Sequence, residues 1–225
     1  MYHPSIFRFL FSATLFFNLN LGSALNTQGD SLINALKNIK VDSLKVDILN
    51  QLSYNHFSTN PDTAIYFGEK AKSLAKKINY SNGLAYANKN IGLGHYVSGD
   101  YFSVLSYWEE SLEAFQKAND KIGESNLLLN IGAVYFAFGD DAIALEYYLK
   151  SLKAAEDIDN NFRIYSALVN IGTLYQNKAA TYDQALEYYR KSLEYLPFIE
   201  DQRSIDNLYT NLGLLFFKKE NYDSS

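Results

Sequence analysis

Cysteine is absent from the 225 residues, and proline, histidine and methionine are scarce at three, three and one. Without thiols there is no disulfide framework, no thiolate metal site and no residue for lipid attachment behind a leader. The histidines, His3, His56 and His95, stand alone, and neither a His-Glu-x-x-His zinc motif nor a phosphate-loop Gly-x-x-x-x-Gly-Lys occurs. The run GLGHYVSG at 92–99 has the wrong glycine spacing for a dinucleotide fingerprint, and no strand precedes it. These absences predict a chain that is not an enzyme, with no catalytic residue, metal or cofactor. Positive charge is also short, since 20 Lys and Arg face 25 Asp and Glu, a net charge of −5. That balance argues against nucleic acid and anionic membrane as partners.

Long apolar runs are missing except at the start. Residues 1–24, MYHPSIFRFLFSATLFFNLNLGSA, carry one positive charge at Arg8, an apolar stretch from Phe9 and a small-residue end at Gly22, Ser23 and Ala24. This pattern predicts a signal peptide cleaved after Ala24, the alternative being a retained anchor, and it leaves no membrane span in the mature chain. Cleavage removes Arg8 and no acid, so 19 minus 25 gives a mature charge of −6. Residues 25–42 are expected to form a helical lead-in.

What is plentiful is apolar and aromatic material: 48% hydrophobic residues, with 19 Tyr and 15 Phe. It is organised by repetition. The stretches KNIGLGHYVSGDYFSVLSYWEESL (89–112), LNIGAVYFAFGDDAIALEYYLKSL (129–152), VNIGTLYQNKAATYDQALEYYRKSL (169–193) and TNLGLLFFKKENYDSS (210–225) are copies of one another. Their Asn-apolar-Gly triplets begin at Asn90, Asn130, Asn170 and Asn211, so the period is 40, 40 and then 41 residues. A fainter copy upstream places Asn50 and Ala64 one period earlier still, with Leu52 where the glycine would be.

Within one copy, Leu128, Ile131, Gly132 and Tyr135 fall on one helical face, and Ala144, Leu145, Tyr148, Ser151 and Leu152 form a second stripe. Between them, Gly139 suits the residue past a helix end, and Asp140 or Asp141 suits the cap of the next helix. Each repeat is thus an antiparallel helix pair whose small residues, Gly132 and Ala144, meet at the crossing. A glycine inside a helix costs about 1 kcal/mol against alanine, which close approach explains. The same pairing recurs as Gly92 with Val104 and Gly172 with Ala185, where one extra turn residue near Ala179 lengthens the period.

The pattern resembles the tetratricopeptide repeat over about residues 43–225. The places that carry the resemblance are Gly92, His95, Val104, Trp108 and Ser111; Gly132, Tyr135, Ala144, Tyr148 and Ser151; and Gly172, Tyr175, Ala185, Tyr189 and Ser192. It implies an all-α fold, a right-handed superhelical solenoid of antiparallel helix pairs, with about four repeats plus the first helix of a fifth. The chain departs from the family in its period, which is nearer the long repeats of kinesin light chains and cell-polarity scaffolds. The family's closing proline occurs only at Pro197. Leader and repeat together look like the exported sensor regions that precede histidine kinases or helix-turn-helix regulators in Gram-negative bacteria, which implies a periplasmic or envelope location. No output domain follows, so a truncated parent is expected, with Leu208, Leu212, Leu215 and Phe216 facing solvent and offering a route to self-association.

Asparagine two residues before each signature glycine is the most informative candidate for function, because Asn is a mediocre helix former whose amide needs partners. The resemblance places Asn90, Asn130, Asn170 and Asn211 beside the concave groove, where such amides can hold the main chain of an extended peptide. The alternative is a bond to a neighbouring helix's carbonyl. The same geometry places Tyr86, Lys89, Tyr96, Asn126, Phe136 and Gln176 along that groove, together with Ser166, Thr173, Asn207 and Phe217. With Lys89 and Lys218 nearly alone as cations, a clamp for a C-terminal carboxylate is not expected. The expected partner is a protein or peptide segment. The structural alternative is a self-associating or spacer rod with no separate ligand. His95, standing where other copies have Tyr135 and Tyr175, reads as a packed ring or as a pH-sensitive joint.

Overall fold

The computed structural model describes residues 31–36 and 38–223, so the expected signal peptide at 1–24 lies outside the described residues. Residues 31–36, within the expected lead-in, are helical. The rest of the described chain is α-helical, without strands, and its helices follow one another as α1 (Asp42–His56), α2 (Pro61–Lys77), α3 (Ser81–Ser98), α4 (Tyr101–Ala118) and α5 (Lys121–Ala137). Then come α6 (Asp141–Glu156), α7 (Asn161–Tyr175), α8 (Tyr182–Leu193) and α9 (Gln202–Asp223). No helix among the described residues is long and apolar enough to cross a membrane. The chain divides into two compact units, one ending at Leu127 and one beginning at Leu128, within α5.

Local chemistry sets the boundaries. Asn60, Asp100, Asp140 and Asn160 each accept a hydrogen bond from the backbone N–H three residues on, satisfying one donor that a helix start leaves orphaned. Pro61 occupies the first helical position of α2, where its missing N–H costs nothing. Gly99 and Gly139 end α3 and α5 with φ of +79° and +82°, a left-handed conformation that costs glycine nothing. The turn between α7 and α8 differs. A 3-10 turn at Ala179–Thr181 absorbs the extra residue, and Thr181 donates its hydroxyl to the Tyr175 carbonyl.

In the first unit, Val46, Leu49, Ala71, Ala75 and Ala87 form a core between α1, α2 and α3. In the second unit, Leu129, Ala144, Tyr148, Ala167, Ile171 and Leu174 join α5, α6 and α7. A further cluster of Tyr165, Val169, Ala185, Tyr189, Ile199, Leu208, Leu212 and Leu215 seals α7 and α8 against α9.

The glycine of each triplet is explained by the ring packed on it. A Cβ added to Gly92 would lie 2.2 Å from Trp108 Nε1, one on Gly132 would lie 2.7 Å from the Tyr148 ring, and one on Gly172 would lie 2.5 Å from that of Tyr189. Val104, Ala144 and Ala185 are fully buried beside these crossings. The ring three residues past the glycine does something else. His95 stacks on Tyr107, Tyr135 on Tyr147 and Tyr175 on Tyr188, with centroids 5.4, 5.6 and 5.7 Å apart. His95 also places Nδ1 3.2 Å from the Asp100 carboxylate.

One expectation is corrected here. Leu208, Leu212 and Leu215 do not face solvent: they are 0, 9 and 1% exposed, because α9 turns that stripe onto Tyr165 and Tyr189. Of the four residues expected on the open face only Phe216 is exposed, joined there by Tyr209, Leu214 and Phe217.

Candidate functional site

The candidate groove residues fall into two local arrangements, one in each unit. In the first unit they stand on α3 and at the start of α5, the first helices of consecutive pairs. Lys89 Nζ lies 3.3 Å from Asn126 Oδ1 and 5.2 Å from the centre of the Tyr86 ring. The Tyr86 hydroxyl donates to the Asp120 carboxylate at 3.3 Å, and its ring meets Phe115 edge-on. Tyr86, Lys89 and Asn126 are half-buried, so this polar row is open on one side. A lysine held between an amide oxygen and an aromatic face loses conformational freedom, which suits it to bind a main-chain carbonyl or carboxylate. Tyr96 sits further along α3, stacked on Trp108 and edge-on to Tyr101, and burial raises its phenol pKa.

Asn90 takes no part in that row. It is 2% exposed, and its amide donates to the Asn50 backbone carbonyl at 2.9 Å. Asn50 in turn donates to the Gly83 carbonyl at 2.9 Å, so two copies of the motif asparagine clamp α1 and α3 together. For Asn90 the structure therefore shows the bond to a neighbouring helix rather than an amide open to a groove. Trp108 adds a parallel tie from α4, donating Nε1–H to the Lys89 carbonyl at 3.1 Å.

In the second unit, Asn130 is half-buried on α5. Phe136 packs at the edge of the core around Tyr148. Asn170 donates to the Ser166 carbonyl of its own helix at 2.8 Å, and Asn211 reaches Thr173 Oγ1 at 3.3 Å. Gln176 is 4% exposed and accepts from the Tyr189 hydroxyl, while its carbonyl lies 3.4 Å from Lys218 Nζ. Thr173 and Tyr189 close this network at 3.2 Å. Burial pushes the Tyr189 phenol up to about 12.

Sequence reasoning missed Asp120, which orients Tyr86 while also capping α5 through Gly123 N–H at 2.8 Å. A signal was there, since an acidic residue stands just before the first residue of a helix. It also missed the stacked rings at Tyr107, Tyr147 and Tyr188, each one residue before a signature ring. Among the described residues no three His, Asp or Glu side chains come together as metal ligands.

These helix pairs, with ring-on-glycine crossings at a fixed interval, agree with an independent comparison. Residues 83–157 match the family model of the tetratricopeptide repeat. The fold is similar to that of a signal-transduction ATPase with numerous domains from Pyrococcus horikoshii, a protein with a tetratricopeptide repeat sensor. That match has 22% identity and a TM-score of 0.70, and it covers 82% of this chain and 29% of that one. It is also similar to aspartyl phosphate phosphatase F from Bacillus subtilis, with 14% identity, a TM-score of 0.75, and 85% and 54% of the two chains covered. A third relative in fold is NprR in complex with its cognate peptide NprX, with 20% identity, a TM-score of 0.61, and 90% and 58% covered. Such identities speak for the fold alone, and the chain spans less than two thirds of each of these proteins. No curated protein matches it.

Proposed function

We propose that the chain is a non-catalytic module that binds a peptide or protein segment, and that it is the sensing or scaffolding part of an exported, envelope-associated signalling protein. One observation carries the binding reading. Lys89, Tyr86 and Asn126 project polar groups from consecutive first helices into one half-open row. A neighbour of the same fold, NprR, is seen with its cognate peptide, which supports a peptide as the ligand class. The acidic balance of the chain favours a segment with exposed donors over an acidic one. Export is supported by the composition of residues 1–24. Fusion of those residues to a leaderless reporter tests it, and a reporter retained in the cytoplasm removes the envelope part.

The binding test is a fluorescence-anisotropy screen of a random peptide library against the full chain, repeated with Lys89→Ala combined with Asn126→Ala. Loss of about 2 kcal/mol of binding, roughly thirtyfold in Kd, at unchanged Tm is the expected result. Peptides that bind the double variant as well as the parent exclude recognition by this row.

A second reading is self-association through α9, favoured by the exposed face of Tyr209, Leu214, Phe216 and Phe217. Light scattering decides it, since a monomer at high concentration excludes that contact.

A further inference from the structure

Of the four helices that carry the Asn-apolar-Gly triplet, α3, α5 and α7 are each covered by the helix that follows, whereas α9 leaves the same face open among the described residues. In the covered three the glycine is buried, as is the residue four before it, Asn88, Leu128 or Leu168. Their counterparts in α9, Gly213 and Tyr209, are exposed. Phe216 stands where His95, Tyr135 and Tyr175 stack on a ring of the next helix, yet it is 53% exposed, and Phe217 is 64% exposed. Tyr209, Gly213, Phe216 and Phe217 recur at i, i+4, i+7 and i+8, so they make one face with a glycine notch in its middle. Large apolar groups gathered on one face mark a contact surface, which singly scattered ones do not.

The covered pairs show what fits such a notch. Each second helix presents a small residue followed three and four positions later by two adjacent rings: Val104, Tyr107 and Trp108 in α4, Ala144, Tyr147 and Tyr148 in α6, and Ala185, Tyr188 and Tyr189 in α8. The small residue is buried at the crossing, the first ring stacks on the ring three past the glycine, and the second lies on the glycine itself. In α4, α6 and α8 both rings are taken up within their own pairs. Helix α9 has the same spacing with its rings exposed, in Gly213, Phe216 and Phe217. It therefore carries both halves of the contact, notch and paired rings, on one face. We propose that this face pairs with α9 of a second copy of the chain, antiparallel and two-fold symmetric, in the register of α6 on α5. The two Gly213 residues meet at the crossing, the two Phe216 rings stack on each other at the axis, and each Phe217 fills the notch at the other copy's Gly213. A two-fold contact demands this self-complementarity, because each copy must accept what it offers. The same register sets Asp206 opposite Glu220 of the second copy, a like-charge contact at either end that weakens the pairing. The inference rests on the self-association reading above and supplies its register.

Sedimentation equilibrium of the full chain, from about 1 μM to about 1 mM, tests the pairing. The parent is expected to show a reversible equilibrium between monomer and dimer. Gly213→Val blocks the crossing, and Phe217→Ala removes the ring that fills the notch. Both positions are exposed, so the fold is kept, and each variant is expected to weaken dimerisation at least about tenfold. Glu220→Lys turns the like-charge contact into an attractive one and is expected to tighten the dimer by about threefold. A monomer throughout overturns the proposal together with the self-association reading. A dimer that Gly213→Val and Phe217→Ala leave unchanged, or that Glu220→Lys fails to tighten, keeps self-association and overturns this register. The double variant of Lys89 and Asn126 touches neither half of the contact and is expected to dimerise like the parent, so the peptide-binding reading and this one fail by different results.

Discussion

Helices α3 and α9 carry the same triplet, Asn90-Ile91-Gly92 in one and Asn211-Leu212-Gly213 in the other, yet the residues do different work. In α3 a Cβ on Gly92 would run into Trp108, and Asn90 is sealed against Asn50. In α9 a Cβ on Gly213 would meet nothing within 4 Å among the described residues, and Asn211 is half-buried against Thr173. A motif residue has no fixed role of its own. The role comes from the second helix laid across it, and where no described ring covers the glycine, the reason for glycine disappears.

The sharpest way to break this comparison is to fill the glycines. Gly92→Val and Gly132→Val force a side chain into a ring and are expected to destabilise by about 1–3 kcal/mol. That lowers Tm by roughly 2–4 °C for each kcal/mol in a chain of this size, while Gly213→Val is expected to leave Tm within a degree or two. Thermal melts followed by circular dichroism decide it. If all three variants melt alike, the ring-on-glycine account is wrong.

Next in size is the asparagine pair. Asn90→Ala removes an interhelical bond from a buried site and is expected to cost about 1–2 kcal/mol. Asn170→Ala loses only a bond to its own helix and gains helix propensity, so urea unfolding should show a change within about 0.5 kcal/mol. Equal costs would mean that Asn90 owes its place to something other than Asn50.

The ring over Gly172 adds a pH handle that α9 lacks. Tyr189 keeps its proton up to about 12, against 10.0 for an exposed tyrosine, because burial disfavours the phenolate. The folded state therefore binds that proton more tightly than the unfolded state. Its contribution is complete below pH 10 and is lost as pH rises from 10 toward 12, on the order of 1 kcal/mol by pH 11. Urea midpoints at pH 9 and pH 11, for the parent and for Tyr189→Phe, measure it; a parent no more sensitive than the variant contradicts the assignment. The smallest effect is a gain. Gly213→Ala is expected to stabilise by up to about 1 kcal/mol, because the helix gains propensity and nothing is displaced. A loss of stability there would reveal a contact on that face of α9.

Much of the architecture was legible because helix pairing leaves a periodic record. The 40-residue interval, the small residues at each crossing and the capping residue at Asp140 are local or strictly spaced signals. The exposed stripe was not legible. Leu208, Leu212, Leu215 and Phe216 share a helical face in sequence, but only the packing on Tyr165 and Tyr189 separates the three buried ones from Phe216. Nor could spacing say which of two adjacent rings, Tyr147 or Tyr148, stacks on Tyr135 and which covers Gly132.

By itself the sequence determined the helix pairs, their interval and the places of close approach, since periodicity, caps and glycine act within a few turns of one chain segment. Only the tertiary structure decided where each amide goes: Asn90 to a carbonyl on α1, Asn170 to its own helix, and Asn88 into the packed interior with its oxygen unpartnered. Such bonds depend on which distant backbone group comes within about 3 Å, and that distance is set by side-chain packing between helices rather than by any residue's neighbours in sequence.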